Sequence, residues 1–229
     1  MTDALNQIAS GKTLRAAINF GNRALVQKDN DGGLGGVSPA LARRLAKKIG
    51  LDLAPVEFSG AGKVYDVALE DRWDVGFLAV DQKRKERVSF TRAYHTIEAT
   101  YAVRRGSPFQ SASEVDRSDV RILSSAGSAY ALHLARTLRH ASFVQKGTPQ
   151  ESFAAFASGP HDMVAGVRAS LEGFFGSDPD VQILPGIITS VAQAMVLPGP
   201  DNLLIEVLDG FVAEALVDGF VAAELDRSA

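Results

Sequence analysis

The chain contains no cysteine. That excludes disulfide staples, a thiolate nucleophile and any metal site built on sulfur, and it leaves the redox compartment open. No apolar run approaches the roughly 20 residues that a helix needs to span a bilayer. Positive charge is not in excess: 24 Lys and Arg stand against 27 Asp and Glu, a net charge of −3. With a pI near 5.8, this argues against nucleic acid as the partner, because phosphate binding needs a basic surface. The basic cluster from Lys83 to Arg87 reads better as a solvated helix face. His95, His133, His140 and His161 show no metal-ligand spacing, and no P-loop, zinc motif or nucleophile elbow is visible. The glycine-rich stretch Gly32 to Gly36 lies in a hairpin-like turn before a helix, which does not fit a dinucleotide fingerprint. No cofactor and no metal are therefore expected.

What is present is an ordinary globular composition. The 229 residues are 46% hydrophobic and 22% charged, enough to bury a core as one domain or two small lobes. The N-terminus lacks the basic stretch and apolar core of a secretory signal. Either the protein is intracellular, or a signal has been removed and Met1 stands in its place.

The pattern along the chain is α/β. Leu14 to Phe20 reads as a strand, and Asp29-Asn30-Asp31-Gly32-Gly33 as a turn. A helix follows, with Ser38 placed as its N-cap, Pro39 as its first residue, and Leu41, Leu45 and Ile49 as an apolar stripe. Gly50 sits where a C′ glycine belongs. Strands at 51–58 and 73–80 flank a helix at 63–70, and Arg84 opens another helix. After residue 103 strands are expected at 120–124, 142–145, 162–167 and 181–184. They alternate with helices at 129–140, 149–158 and 168–175. Ser190 to Leu197 is a further strand, and Asp201 to Leu225 a helical tail. Alternation of this kind implies mainly parallel sheets. No sequence repeat and no low-complexity segment is visible. At Gly127-Ser128-Ala129-Tyr130 a small-residue turn between strand and helix aims free N–H groups and the helix dipole at an anion.

Four motifs in order then resemble a known family. Gly35-Gly36-Val37-Ser38-Pro39-Ala40-Leu41-Ala42 is similar to its entry to the first helix. Trp73 to Val80, then Arg84, then Ser89-Phe90-Thr91-Arg92-Ala93-Tyr94 is similar to its aspartate, arginine and F-[ST]-x-P-Y signature. Ala126-Gly127-Ser128-Ala129 is similar to its x-G-[ST]-[TA] turn, and Asp162-Met163-Val164-Ala165-Gly166 to its D-A-V-x-G. The chain thus resembles type II periplasmic solute-binding proteins of the polar amino-acid-binding branch, which serve ABC importers. The resemblance covers nearly the whole chain. It implies two α/β lobes joined by two crossing strands, with ligand bound in the cleft. Lobe 1 would hold residues 1–97 and 193–229, and lobe 2 residues 98–192. It also implies a periplasmic monomer that takes a small carboxylate and meets the importer's membrane subunits. If Met1 is native, a cytoplasmic location is the alternative.

The resemblance implies a site residue by residue. Arg84 takes the position that binds the ligand's carboxylate, a task suited to a bidentate, permanently charged guanidinium. Ser128, with Gly127 and Ala129 beside it, would hold the same carboxylate from the second lobe. Phe20 and Phe58 would wall the cleft or simply pack in the core. Asn22 could line the rim, and Gln193 on the returning strand could reach it. Asp81 departs from the family's hydroxyl residues and is expected to cap the helix of Arg84 or pair with it. Val167 stands where many amino-acid binders place the aspartate that pairs with the α-ammonium. A buried ammonium without a counter-charge is costly, so the usual amino-acid clasp is in question. If Arg168 points inward, the ligand carries a second anionic group; if outward, it is a helix-start arginine. The alternatives are a cyclohexadienyl dehydratase-like enzyme, with Glu98, Glu172 and Asp81 as acids by type only, or a sensory binding domain.

Overall fold

In the computed structural model, which describes residues 2–9, 11–28 and 33–228, strands alternate with helices along most of the chain. In chain order the elements are α1 (Thr2–Leu5), β1 (Thr13–Asn19), β2 (Gln27–Lys28), β3 (Leu34–Gly35), α2 (Val37–Lys48), β4 (Asp52–Phe58), α3 (Ala61–Asp66) and β5 (Val75–Ala79). Then follow β6 (Val88–Arg104), β7 (Arg121–Ser124), α4 (Ala129–Thr137), β8 (Ser142–Gln145), α5 (Pro149–Ser158), β9 (Met163–Val167) and α6 (Arg168–Phe175). The last are β10 (Val181–Ile183), β11 (Thr189–Pro198), α7 (Ile205–Val217) and α8 (Phe220–Ser228).

The chain divides into two compact units. Unit 1 is Met1–Phe20, Ala24–Thr96 and Ala192–Ala229; unit 2 is Gly21–Arg23 and Ile97–Val191. In unit 1, β1 pairs in parallel with β4 and β5, and β11 pairs antiparallel with β5. In unit 2, β7 pairs in parallel with β8 and β9, and β6 antiparallel with β9 and β10. β6 and β11 each contribute residues to both units. β5 and β9 are buried along their whole length, as expected of strands covered on both faces.

The same pinning device appears in each unit. Arg15 N donates to Asp74 Oδ2 at 2.7 Å, and Asp74 N donates back to Arg15 O at 2.9 Å. In the same way Arg121 N donates to Asp162 Oδ2 at 2.8 Å, and Asp162 N to Arg121 O at 3.0 Å. In both, the guanidinium also meets the carboxylate. The aspartate before the third strand thus fixes the start of the first. Trp73, Leu78, Val88 and Val196 form the core of unit 1. Phe153, Phe156, Phe175 and Leu171 form that of unit 2. Gly166 is needed there because a Cβ would lie 2.8 Å from the Phe153 ring.

Several expected boundaries shift for identifiable reasons. α2 starts at Val37, with Gly36 rather than Ser38 at its N-cap. Gly36 has φ +91°, and a Cβ there would lie 2.4 Å from Leu25 O, so only glycine fits. Ser38 lies inside the helix, its Oγ 2.9 Å from Tyr94 Oη, and Pro39 is the third helical residue rather than the first. Gly50 takes the left-handed C′ role, with φ +70°. The helix expected at 63–70 runs from Ala61 to Asp66. α4 stops at Thr137, because the Asp116 carboxylate captures the N–H groups of Arg139, His140 and Ala141 at 2.8–2.9 Å. The tail is two helices, split at Gly219 with φ +78°. The expected turn at 29–33 lies outside the described residues except for Gly33, and is flanked by the β2–β3 hairpin.

Candidate functional site

The candidate residues of unit 1 gather at the carboxyl ends of its strands, where open α/β sheets present their ligand sites. Asn19 and Phe58 end β1 and β4 in register, and Phe20 N donates to Phe58 O at 2.8 Å. Phe20, Glu57, Phe58 and Ser59 line an open depression of about 400 Å³. Phe58 also packs against the unit 1 core.

Arg84 stands beyond the end of β5, in the single 3-10 turn Lys83–Glu86 rather than an α-helix. It is 1% exposed, in contrast to exposed Lys83 and Arg87. Its Nη1 donates to Ala79 O, the last residue of β5, at 2.9 Å. Burial pushes the guanidinium down to about 10, and the neighbouring Asp81 carboxylate opposes that shift. Asp81 is itself buried. Its Oδ1 accepts from Lys83 N at 2.9 Å, and its carbonyl from Arg84 N at 3.1 Å. Asp81 therefore folds the turn that carries the arginine, although the N-cap of that turn is Gln82 rather than Asp81. Gln193 is buried on β11, opposite Ala79 in the register.

In unit 2 the turn after β7 has the expected helix-entry form. Gly127 has φ +66°, and its N–H donates to Gln145 Oε1 at 3.2 Å. Ser128 is the N-cap of α4: its Oγ accepts from Ala131 N at 3.2 Å and donates to Ser125 O at 3.1 Å. The hydroxyl is thus engaged in holding the turn. The N–H groups of Ala129 and Tyr130, the first two helical positions, have no carbonyl to bond within the helix. They are the donors that such a helix start turns toward an anion. Tyr130 Oη lies 2.6 Å from Ser125 Oγ beneath the turn, and burial pushes its pKa above the ordinary phenol value. Gln145 has no sequence signal: it is simply the last residue of an edge strand.

Val167 is buried at the N-cap of α6. Arg168 follows, and its donors go to protein acceptors of unit 2. They reach Gly186 O at 2.7 Å, Leu184 O at 3.4 Å and Glu98 Oε2 at 3.4 Å. This favours the reading of Arg168 as a helix-start arginine. The same ion pair engages Glu98, and Glu172 is exposed. Asn22 is buried, with its Oδ1 free of any hydrogen-bond partner. Among the described residues, no helix is long and apolar enough to cross a membrane.

Solved structures with this fold are numerous. ArgBP from T. maritima, as a mutant, matches with TM-score 0.81 at 19% identity, over 98% of each chain. An amino acid ABC transporter substrate-binding protein from Streptococcus pneumoniae bound to L-arginine matches with TM-score 0.81 at 16% identity, over 98% of this chain and 97% of that one. The ancestral amino acid-binding protein AncCDT-1, a precursor of cyclohexadienyl dehydratase, matches with TM-score 0.79 at 18% identity, over 97% and 98%. No curated protein sequence matches significantly. At these identities the neighbours establish the two-lobe type II periplasmic-binding fold. The family model for bacterial extracellular solute-binding proteins, family 3, matches residues 14–223, and the chain belongs to that family.

Proposed function

We propose that this chain is the extracytoplasmic receptor of an ABC importer and that it captures a small carboxylate. The observation that carries the reading is Arg84. A guanidinium 1% exposed beyond the end of β5 lies where open α/β sheets present their ligand sites, and its fork of donors suits a carboxylate. The bare amides at Ala129 and Tyr130 supply a second anion-directed group in the other unit. Membership of an extracellular solute-binding family, and neighbours such as the Streptococcus pneumoniae protein, support the importer partner and the periplasmic location. The aromatic depression at Phe20 and Phe58 suits the non-carboxylate part of the solute.

The test is a thermal-shift screen of amino acids, hydroxy acids, oxo acids and dicarboxylic acids. A ligand that binds only the native state raises the midpoint by mass action, about 2.7 kcal/mol at a hundredfold excess over Kd. Absence of a shift with every carboxylate would remove this function.

A further inference from the structure

Asn22 is 8% exposed, and its Oδ1 is buried with no hydrogen-bond partner. The backbone on either side is clasped by a single hydroxyl. Ser170 Oγ donates to Gly21 O at 3.4 Å and accepts from Arg23 N at 3.2 Å. Ser170 lies in the first turn of α6 and is itself buried. Asn22 is thus held beside the helix start that directly follows Val167. Buried carbonyl oxygens are nearly always bonded, and one left unmade is costly. A rigidly held, unmade acceptor is a place for a ligand donor. Val167, at the same helix start, brings no charge.

We propose that Asn22 Oδ1 accepts a hydrogen bond from the substituent on the ligand's α-carbon. With valine at 167, the site then takes a 2-hydroxy acid in preference to the 2-amino or 2-oxo acid. This rests on the carboxylate reading above. A hydroxyl donates one hydrogen bond to a neutral carbonyl and leaves no charge uncompensated. An ammonium also donates, but once desolvated it needs a counter-charge, which neither Asn22 nor Val167 supplies. An oxo group has no donor and sets one acceptor against another.

Isothermal titration of the full chain with matched 2-hydroxy, 2-amino and 2-oxo acids of several carbon skeletons tests this. Within the skeleton that binds best, the hydroxy acid is expected to bind at least about tenfold tighter than either analogue, roughly 1.4 kcal/mol. Asn22→Ala is expected to abolish the hydroxy-over-oxo preference while leaving the thermal midpoint unchanged or higher, since a buried unsatisfied group has gone. Asn22→Asp is expected to shift preference toward the amino acid. A lowered midpoint with the preference intact in Asn22→Ala would make Asn22 a packing residue and overturn the proposal. Amino or oxo acids that bind as tightly as hydroxy acids would overturn it and leave the carboxylate reading standing. Failure of every carboxylate to bind would overturn both.

Discussion

Raising the pH is a direct probe of Arg84, because its burial gives the guanidinium a titration within experimental reach. It is pushed down to about 10 in the ligand-free protein, whereas exposed arginines stay protonated. A carboxylate ligand needs the charged form and holds it by its own negative charge. Affinity is therefore expected to be flat from about pH 7 to pH 9. Near pH 11 only about a tenth of the free protein keeps the charge, and affinity falls about tenfold by that factor. Isothermal titration with an acid that carries no amine isolates the effect, and the thermal midpoint at each pH shows that the protein is folded. The stability side has a definite sign. A cationic group whose folded value is lowered destabilises the fold wherever it is charged. That penalty is fully present below about pH 10 and disappears as the pH rises through it. The shift corresponds to about 3 kcal/mol. Arg84→Met removes the charge and the bond to Ala79 O. In the variant, binding should fall 100-fold or more, the range of a lost charge-assisted contact. Unchanged affinity in Arg84→Met, together with affinity still flat at pH 11, would refute the assignment.

Two further expectations concern the scaffold. Gly36→Ala should lower stability by about 3 kcal/mol or more, because its Cβ would lie 2.4 Å from Leu25 O at φ +91°; a urea midpoint within about 1 kcal/mol of wild type would mean that the β2–β3 region yields freely. Acid should unfold the chain as three carboxylates lose their partners. Asp116 is held below the ordinary carboxylate range by the N–H groups of Ala141, His140 and Arg139, Asp162 by Arg121, and Asp209 by Arg92. The folded values are the lower ones, so this stability is complete above the ordinary value near 4 and is lost as the pH falls through the folded values. Asp116→Ala should flatten the acid limb of a midpoint-against-pH curve, and an unaltered slope would exclude Asp116 from it.

The helices and strands that carry the site were legible where local chemistry and tertiary need agree. Gly127 and Ser128 read as a helix entry because the turn needs a left-handed residue and a cap, and both appear in sequence. Asp81 read as a cap, and it folds the turn although Gln82 holds the N-cap position. Arg84 was legible only through its spacing to Phe90, since nothing local distinguishes a buried arginine from Lys83 or Arg87 beside it. Its burial comes from the strand end at Ala79, seen only once β5 and β11 are paired. β6 carries no clear period-2 signal because its buried residues do not alternate regularly along its 17 residues, as expected of a strand whose neighbours change along its length. The start of α2 was misplaced by one further mechanism. Ser38 and Pro39 are good local signals, but Ser38 N already donates to Leu25 O at 3.2 Å, so a non-local carbonyl does the work of a cap. The residues missed at the site share this character. Gln145 holds Gly127 from 18 positions away, and Ser170 clasps the backbone of Arg23 and Gly21, on either side of Asn22, from 147 and 149 positions away. What a site binds is written in local motifs that survive as spacing. Asn22 was readable as a rim candidate, but its burial and the unbonded Oδ1 depend on partners that only the fold brings together.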